Sequence, residues 1–278
     1  MEICNYKWKG KHDFFEKIIK NYSNNRWVDI EYEYYVALID TFKGSERNNV
    51  LRSDFYINLV KPLNSCFNSI LIKLLEYLHT IEITPEKSNR HIEGILMENT
   101  GARRNYSGEK LFVNFNYTTT MELYSDHFLP NNLIYIHGRL NNQSSPIIFG
   151  YGDEMDPHYE KLENLNSNDF LQNIKSFNYL KTGNYQKVIR FLENEFTVKV
   201  LGHSCGLSDR ILLNTIFEHP KCRAIKIFYY QKSEKENDFF EKTQEISRHF
   251  RASMKGEMRK RIVSFDQCEP LLPLSKQN

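Results

Sequence analysis

From residue 109 onward the chain changes its period. "KLFVNFNY", "NLIYIHG", "PIIFG", "FTVKVLG", "RAIKIFYY" and "RIVSF" are short apolar runs set between polar, Gly or Pro residues. Runs of that length and bounding fit buried strands. Helical segments separate them: a short one after Thr118, two across 157–194, one in "SDRILLNTIFEH" with Ser208 or Asp209 as N-cap, and one at 234–251. Strands alternating with helices predict an α/β fold, a mostly parallel, Rossmann-like sheet flanked by helices.

The first hundred residues read as helical. In "SCFNSILIKLLEYLHTI", Phe67, Ile70, Leu71, Leu74, Leu75, Leu78 and Ile81 recur at three- and four-residue steps as one apolar stripe. "WVDIEYEYYVALIDTF" supplies a second helix, with Trp27, Ile30, Tyr34 and Leu38 on one side and Asp29 and Glu33 on others, read as a solvated acidic face. The expected organisation is a helical region at 1–108 packed on an α/β domain at 109–278, together one continuous globular unit. Arg259-Lys260-Arg261 precedes the last apolar run and reads as surface charge.

A formal charge of +2 from balanced acids and bases gives no reason to expect direct nucleic-acid binding. No apolar stretch has the length of a membrane span, and Met1 to Lys20 lacks the continuous apolar segment of a signal peptide. The five cysteines (Cys4, Cys66, Cys205, Cys222 and Cys268) are scattered without a C-x-x-C pair. The expectation is a cytoplasmic protein with no structural metal, no prosthetic group and no membrane partner; a homo-oligomer stays open.

Open parallel sheets bind ligands beyond the carboxyl ends of their strands. Polar and glycine residues stand where the predicted strands stop: Asn116-Tyr117-Thr118, His137-Gly138, Gly150 through Asp153, and Gly202-His203-Ser204. They are candidate walls of one pocket. Asp153-Glu154 reads as loop charge rather than a metal or acid–base pair. "GHSCG" at 202–206 also matches the G-x-S-x-G pattern of a hydrolase nucleophile elbow at Ser204. Against that reading, neither downstream histidine, His219 or His249, follows the last predicted strand. In addition, Cys205-Gly206-Leu207 separate the serine from the helix. Cys205, between small residues, reads as a buried inert thiol.

"FVNFNYTTTMELY", "IYIHGRL", "PIIFGYGDE", "VLGHSCGLSDRILLNTIFEH" and "IKIFYY", in that order and with "RWVDIEYEYY" upstream, resemble the phage abortive-infection AbiH family over roughly residues 12 to 230. AbiH-like sequences in turn resemble sirtuin-like NAD-binding domains of bacterial defence proteins. That wider resemblance implies NAD as substrate or ligand and Asn116 and His137 as a catalytic pair for its cleavage. It also implies a nucleotide pocket lined by Gly202, Ser204 and Asp209; Tyr117, Thr118, Gly138, Gly150, Asp153 and His203 complete the expected ligand contacts. The chemistry suits the residue types. A cationic pyridinium is a good leaving group, an asparagine orients a water or a hydroxyl, and a histidine accepts a proton near neutrality.

One departure stands out. AbiH-like sequences typically begin with a strand and a Gly-Asn-Gly-Phe-Asp type of loop, whereas "MEICNYKWKGKHDFFEKIIKNY" enters the pattern at the first helix. The expectation is that the first glycine-loop strand is missing, through truncation or start-site choice, or is replaced by another element. Two alternatives to an NAD hydrolase therefore remain open: a nucleotide-binding or inactive family member without catalysis, and a serine hydrolase acting through Ser204.

Overall fold

A computed structural model describes residues 27–47, 54–97, 109–127 and 132–274. The expected absence of a first strand, and the reading of residues 1–22, lie outside them. In chain order the elements are α1 (Trp27–Arg47), α2 (Asp54–Leu78), α3 (Arg90–Met97), β1 (Phe112–Asn114), β2 (Leu133–Tyr135), α4 (Asn184–Phe191), β3 (Phe196–Leu201), α5 (Arg210–Phe217), β4 (Cys222–Tyr229), α6 (Phe239–Arg248), α7 (Lys255–Arg261) and β5 (Glu269–Pro270). Short helical turns, among them Thr119–His127, link several of them. The chain forms two compact units interleaved in sequence: Met1–Leu78 with Phe149–Asn178 and Gly206–Ile211, and His79–Ile148 with Tyr179–Cys205 and Leu212–Asn278. No helix among the described residues is long and apolar enough to cross a membrane.

In the first unit α1 and α2 follow the two expected helices. The stripe of α1 buries Tyr34 and Leu38, and that of α2 buries Phe67 and Leu74. Phe67 stacks between Tyr34 at 4.1 Å and Phe149 at 4.6 Å. Polar atoms inside this packing must find partners. The Tyr34 hydroxyl donates to Asn64 Oδ1 at 2.6 Å, and the Asn64 amide donates to the Asp169 carbonyl and to Gln172.

Charge is buried there as well. Lys175, only 1 % exposed, donates to Glu31 Oε2 at 3.0 Å and to Asp209 Oδ1 at 2.8 Å. Burial alone would lower its ammonium's pKa, but Asp209 and Glu31 outweigh burial and hold it above the ordinary lysine range. The other oxygen of Glu31 accepts the backbone N–H of Gly150 at 3.0 Å.

The second unit holds the strands. Every strand ladder among the described residues is parallel, but the ladders form two small sheets, β1-β2 and β3-β4-β5, where the sequence led us to expect one larger sheet. Val200 of β3 and Ile225 and Ile227 of β4 enter a core with Ile134, Ile136, Leu212 and Ile246. On the opposite face Lys199 stands directly across from Lys226. Like charges in that position repel, and each ammonium takes its own partner: Lys226 bonds Glu269 at 2.8 Å, and Lys199 reaches the Ile95 carbonyl at 3.3 Å. Lys110 takes the next carbonyl, Leu96, at 2.7 Å. Two cations thus occupy carbonyls in the last turn of α3, where the helix dipole is negative.

Four expectations are corrected. "PIIFG" joins no ladder: Ile148 sends one N–H to the His137 carbonyl, Pro146 has no N–H, and that of Gly150 goes to a carboxylate. "RIVSF" is not a strand. Its Arg261 ends α7, Ile262 makes a single bridge to Ile225, and the last strand is Glu269–Pro270. Arg261 is not surface charge but 8 % exposed, donating to the carbonyls of Phe217 at 2.6 Å and His219 at 3.0 Å just beyond α5. Neither Ser208 nor Asp209 is an N-cap. Gly206 occupies the cap position of the turn that leads into α5, and the Asp209 carboxylate is engaged by Lys175.

Two outcomes are expected from this packing. Lys175→Met should cost about 3–5 kcal/mol by leaving two buried carboxylates without their cation, read as a fall in urea midpoint at unchanged slope. Gly138→Ala should cost on the order of 2–3 kcal/mol. Gly138 has φ +84° and an added Cβ would sit 2.1 Å from the Pro146 carbonyl oxygen, so the same denaturation series should place this variant well below wild type.

Candidate functional site

The register of β1 on β2 places the two residues expected to act together. Asn114 is level with Tyr135, and the Asn114 carbonyl accepts the Ile136 N–H at 3.0 Å, carrying the pairing one step further. Two residues beyond each partner in sequence stand Asn116 and His137, in the segments that leave the carboxyl ends of these two adjacent parallel strands. The Asn114 side chain accepts the Asn116 N–H at 3.0 Å, an Asx turn that swings the chain out of the strand and leaves Asn116 exposed.

His137 is 5 % exposed and set among rings. Phe115 meets it edge-on at 5.3 Å, Tyr117 lies at 6.0 Å, and Tyr179 lies nearly parallel at 6.2 Å with its hydroxyl 3.4 Å from His137 Nε2. Tyr117 is anchored by its hydroxyl, which donates to the Ile148 carbonyl, and by its own carbonyl, which accepts the Leu140 N–H. Thr118 pairs its hydroxyl with that of Thr120 at 2.9 Å. Gly138 follows with the positive φ that turns the chain away.

The end of β3 reaches the same ring cluster through His203, whose ring centroid is 4.1 Å from that of Phe115. The turn is tightly specified. Gly202 has φ +68° and Cys205, a buried non-glycine residue, has φ +56°. A left-handed Cys is sterically costly, so the surroundings must impose it. His203 Nδ1 accepts the Cys205 N–H at 2.9 Å, the fully buried His249 donates from Nε2 to the Cys205 carbonyl at 2.8 Å, and Lys242 donates to the His203 carbonyl at 2.9 Å. Ser204 projects into solvent at the tip. Both histidines of this turn are committed to the backbone of Cys205, and among the described residues no hydrogen bond joins Ser204 to a histidine. Among the described residues, Ser204 thus has no hydrogen-bonded histidine to act as the base that an activated serine needs.

Gly150, Asp153 and Asp209 fall in the first unit, each already engaged there. Gly150 lies against the Asn173 carbonyl, where an added Cβ would approach to 2.1 Å, and gives its N–H to Glu31. Asp153 accepts Arg210 Nη1 at 2.6 Å and the Met155 N–H at 3.0 Å; burial pushes its carboxyl up and the guanidinium pulls it back. Asp209 is held by Lys175. Among the described residues no group of three or more His, Cys, Asp or Glu side chains is placed to hold a metal ion.

Sequence reasoning missed Tyr179, Lys242, Glu31 and Lys175. Glu31 and Lys175 are 144 residues apart, and Lys242 meets a carbonyl 39 residues earlier, so no local pattern marks these pairs. Tyr179 is one of 17 tyrosines with nothing in its neighbours to set it apart.

No curated protein and no solved structure matches the chain. The family model described as bacteriophage abortive infection AbiH matches residues 5–231, most of the sequence and both strand-end segments that carry Asn116 and His137. The chain therefore belongs to the AbiH family of bacteriophage abortive-infection proteins.

Proposed function

We propose that this AbiH-family protein acts inside the cell in defence against phage by binding a nicotinamide dinucleotide and hydrolysing its nicotinamide–ribose bond. The observation that supports the reading is that Asn116 and His137 each follow the carboxyl end of one of two adjacent parallel strands, with His137 walled by aromatic rings.

The chemistry asks for placement more than for covalent assistance. As the C1′–N bond breaks, its electron pair leaves with the ring nitrogen and the pyridinium becomes neutral nicotinamide. Positive charge meanwhile grows on the ribose as an oxocarbenium. In this reading Asn116 orients the attacking water or a ribose hydroxyl through its amide, which both donates and accepts. His137 takes the water's proton as oxygen bonds to C1′. Tyr117, Thr118 and Gly138 flank the pair, and Gly202, His203 and Ser204 contribute ligand contacts from the β3 turn. The dinucleotide is substrate rather than a resident cofactor.

The test is incubation of the purified protein with NAD and chromatographic measurement of released nicotinamide. Cleavage is expected in wild type, with His137→Ala and Asn116→Ala each reduced by roughly 10²-fold or more. Wild-type rates in both variants would refute the pair. Ser204→Ala should keep kcat within a few-fold and raise KM, as fits a ligand contact. A serine-directed fluorophosphonate that labels Ser204, in a protein that leaves NAD intact, would instead establish the hydrolase alternative. Binding of NAD without cleavage would establish a nucleotide-binding module.

A further inference from the structure

α6 has an inner and an outer face. On the inner face Phe239 and Ile246 enter the core and Lys242 donates to the His203 carbonyl at 2.9 Å. On the outer face Phe240, Gln244 and Arg248 follow one another at four-residue steps with Glu241 beside them, and all four are exposed. Phe240 is 77 % exposed, a large apolar side chain left in water. Tyr230, joined to Asp238 at the head of the helix by two hydrogen bonds, and Phe265, whose ring lies 5.1 Å from that of Phe239, are exposed as well. Apolar surface gathered in this way marks an interaction face.

The charges on α6 choose the partner. Its outer stripe is acidic at the amino end, through Glu241, and basic at the carboxyl end, through Arg248. Glu241 pairs with Lys232 at 3.2 Å and Arg248 with Glu245 at 2.5 Å, but ion pairs so exposed are weak and exchange partners readily. Two copies of the helix laid antiparallel about a twofold axis through Gln244 are complementary. Phe240 of each copy meets Arg248 of the other, a guanidinium against a ring, and Glu241 stands within reach of the same guanidinium. At the axis the two Gln244 amides can each donate and accept. A parallel pairing would instead set Glu241 against Glu241 and Arg248 against Arg248. The neighbouring segment 231–237 carries Lys232 and Lys235 beside Glu234 and Glu236, so the surface lacks the single sign that would select nucleic acid or an anionic membrane. Nor is the β5 edge suited to strand pairing with a second copy, because Pro270 has no N–H and its carbonyl accepts from His91 Nε2 at 3.2 Å.

We propose that the outer face of α6 is a homodimer interface, packed antiparallel on the same face of a second copy of this chain. The interface is independent of NAD cleavage and is tested without NAD.

The experiment is sedimentation velocity of the full-length protein over a concentration series. Wild type is expected to approach twice the mass of one chain, and Phe240→Glu to stay monomeric with unchanged far-ultraviolet circular dichroism. Glu241→Arg and Arg248→Glu should each weaken the dimer by roughly tenfold or more, and the two together should restore it, because the pair is then reversed across the axis. Gln244→Cys places equivalent thiols face to face and is expected to give a disulfide-linked dimer on mild oxidation, whereas Lys260→Cys, at an exposed position on α7, is not. A wild type that is monomeric up to its solubility limit overturns the proposal. So does a dimer that survives Phe240→Glu, a double charge reversal that fails to restore association, or cross-linking through Lys260→Cys in place of Gln244→Cys.

Discussion

Parallel pairing of β1 with β2 is the constraint from which the candidate site follows. In a parallel ladder both chains run the same way, so residues equally far past a paired position emerge side by side at the same edge. Asn114 opposite Tyr135 therefore sends the segments that carry Asn116 and His137 out at the same edge, though the two residues are 21 positions apart in sequence. An antiparallel pairing of the same segments would send them to opposite ends. The rest of the site in this unit, the glycine turn after β2 and the β3 turn bearing His203, is arranged around that edge through Phe115, which touches both histidine rings.

The second requirement is that buried polarity be answered wherever it occurs. Lys175 between Glu31 and Asp209 and Arg261 against two carbonyls are costly groups to remove from water, tolerable only because each finds partners at hydrogen-bond distance. The β3 turn shows the same logic at the backbone: the left-handed Cys205 has its N–H and its carbonyl each taken by a histidine. Residues that a reader of sequence would assign to ligand or catalysis, His203 and Asp209 among them, thus have structural duties in the resting molecule.

What the sequence made legible follows from the range of the interactions involved. β3 and β4 announce themselves because "FTVKV" and "AIKIF" are rich in apolar, largely β-branched residues, of which Phe196, Val200, Ile225 and Ile227 are buried. The helical stripes of α1 and α2 are read in the same way. The strand-end positions of Asn116 and His137 were visible as well, because a strand must stop where its apolar run stops. "RIVSF" misled because two apolar residues, Ile262 and Val263, suffice for a single bridge to β4 but not for a ladder once Arg261 is drawn into α7. "PIIFG" misled because Gly150 spends its N–H on a side chain from α1, a partner 119 residues away. Arg261, Lys175 and Tyr179 take their meaning from contacts across long stretches of sequence, and no window of neighbours contains that information.

The interleaving of the two compact units bears on how such a protein can be inherited and dissected. The chain leaves the first unit after Leu78, returns to it at Phe149, leaves again after Asn178 and returns once more at Gly206. Neither unit is a contiguous stretch of gene. A single recombination break can therefore not transplant one of them intact, and a shortened transcript delivers parts of both.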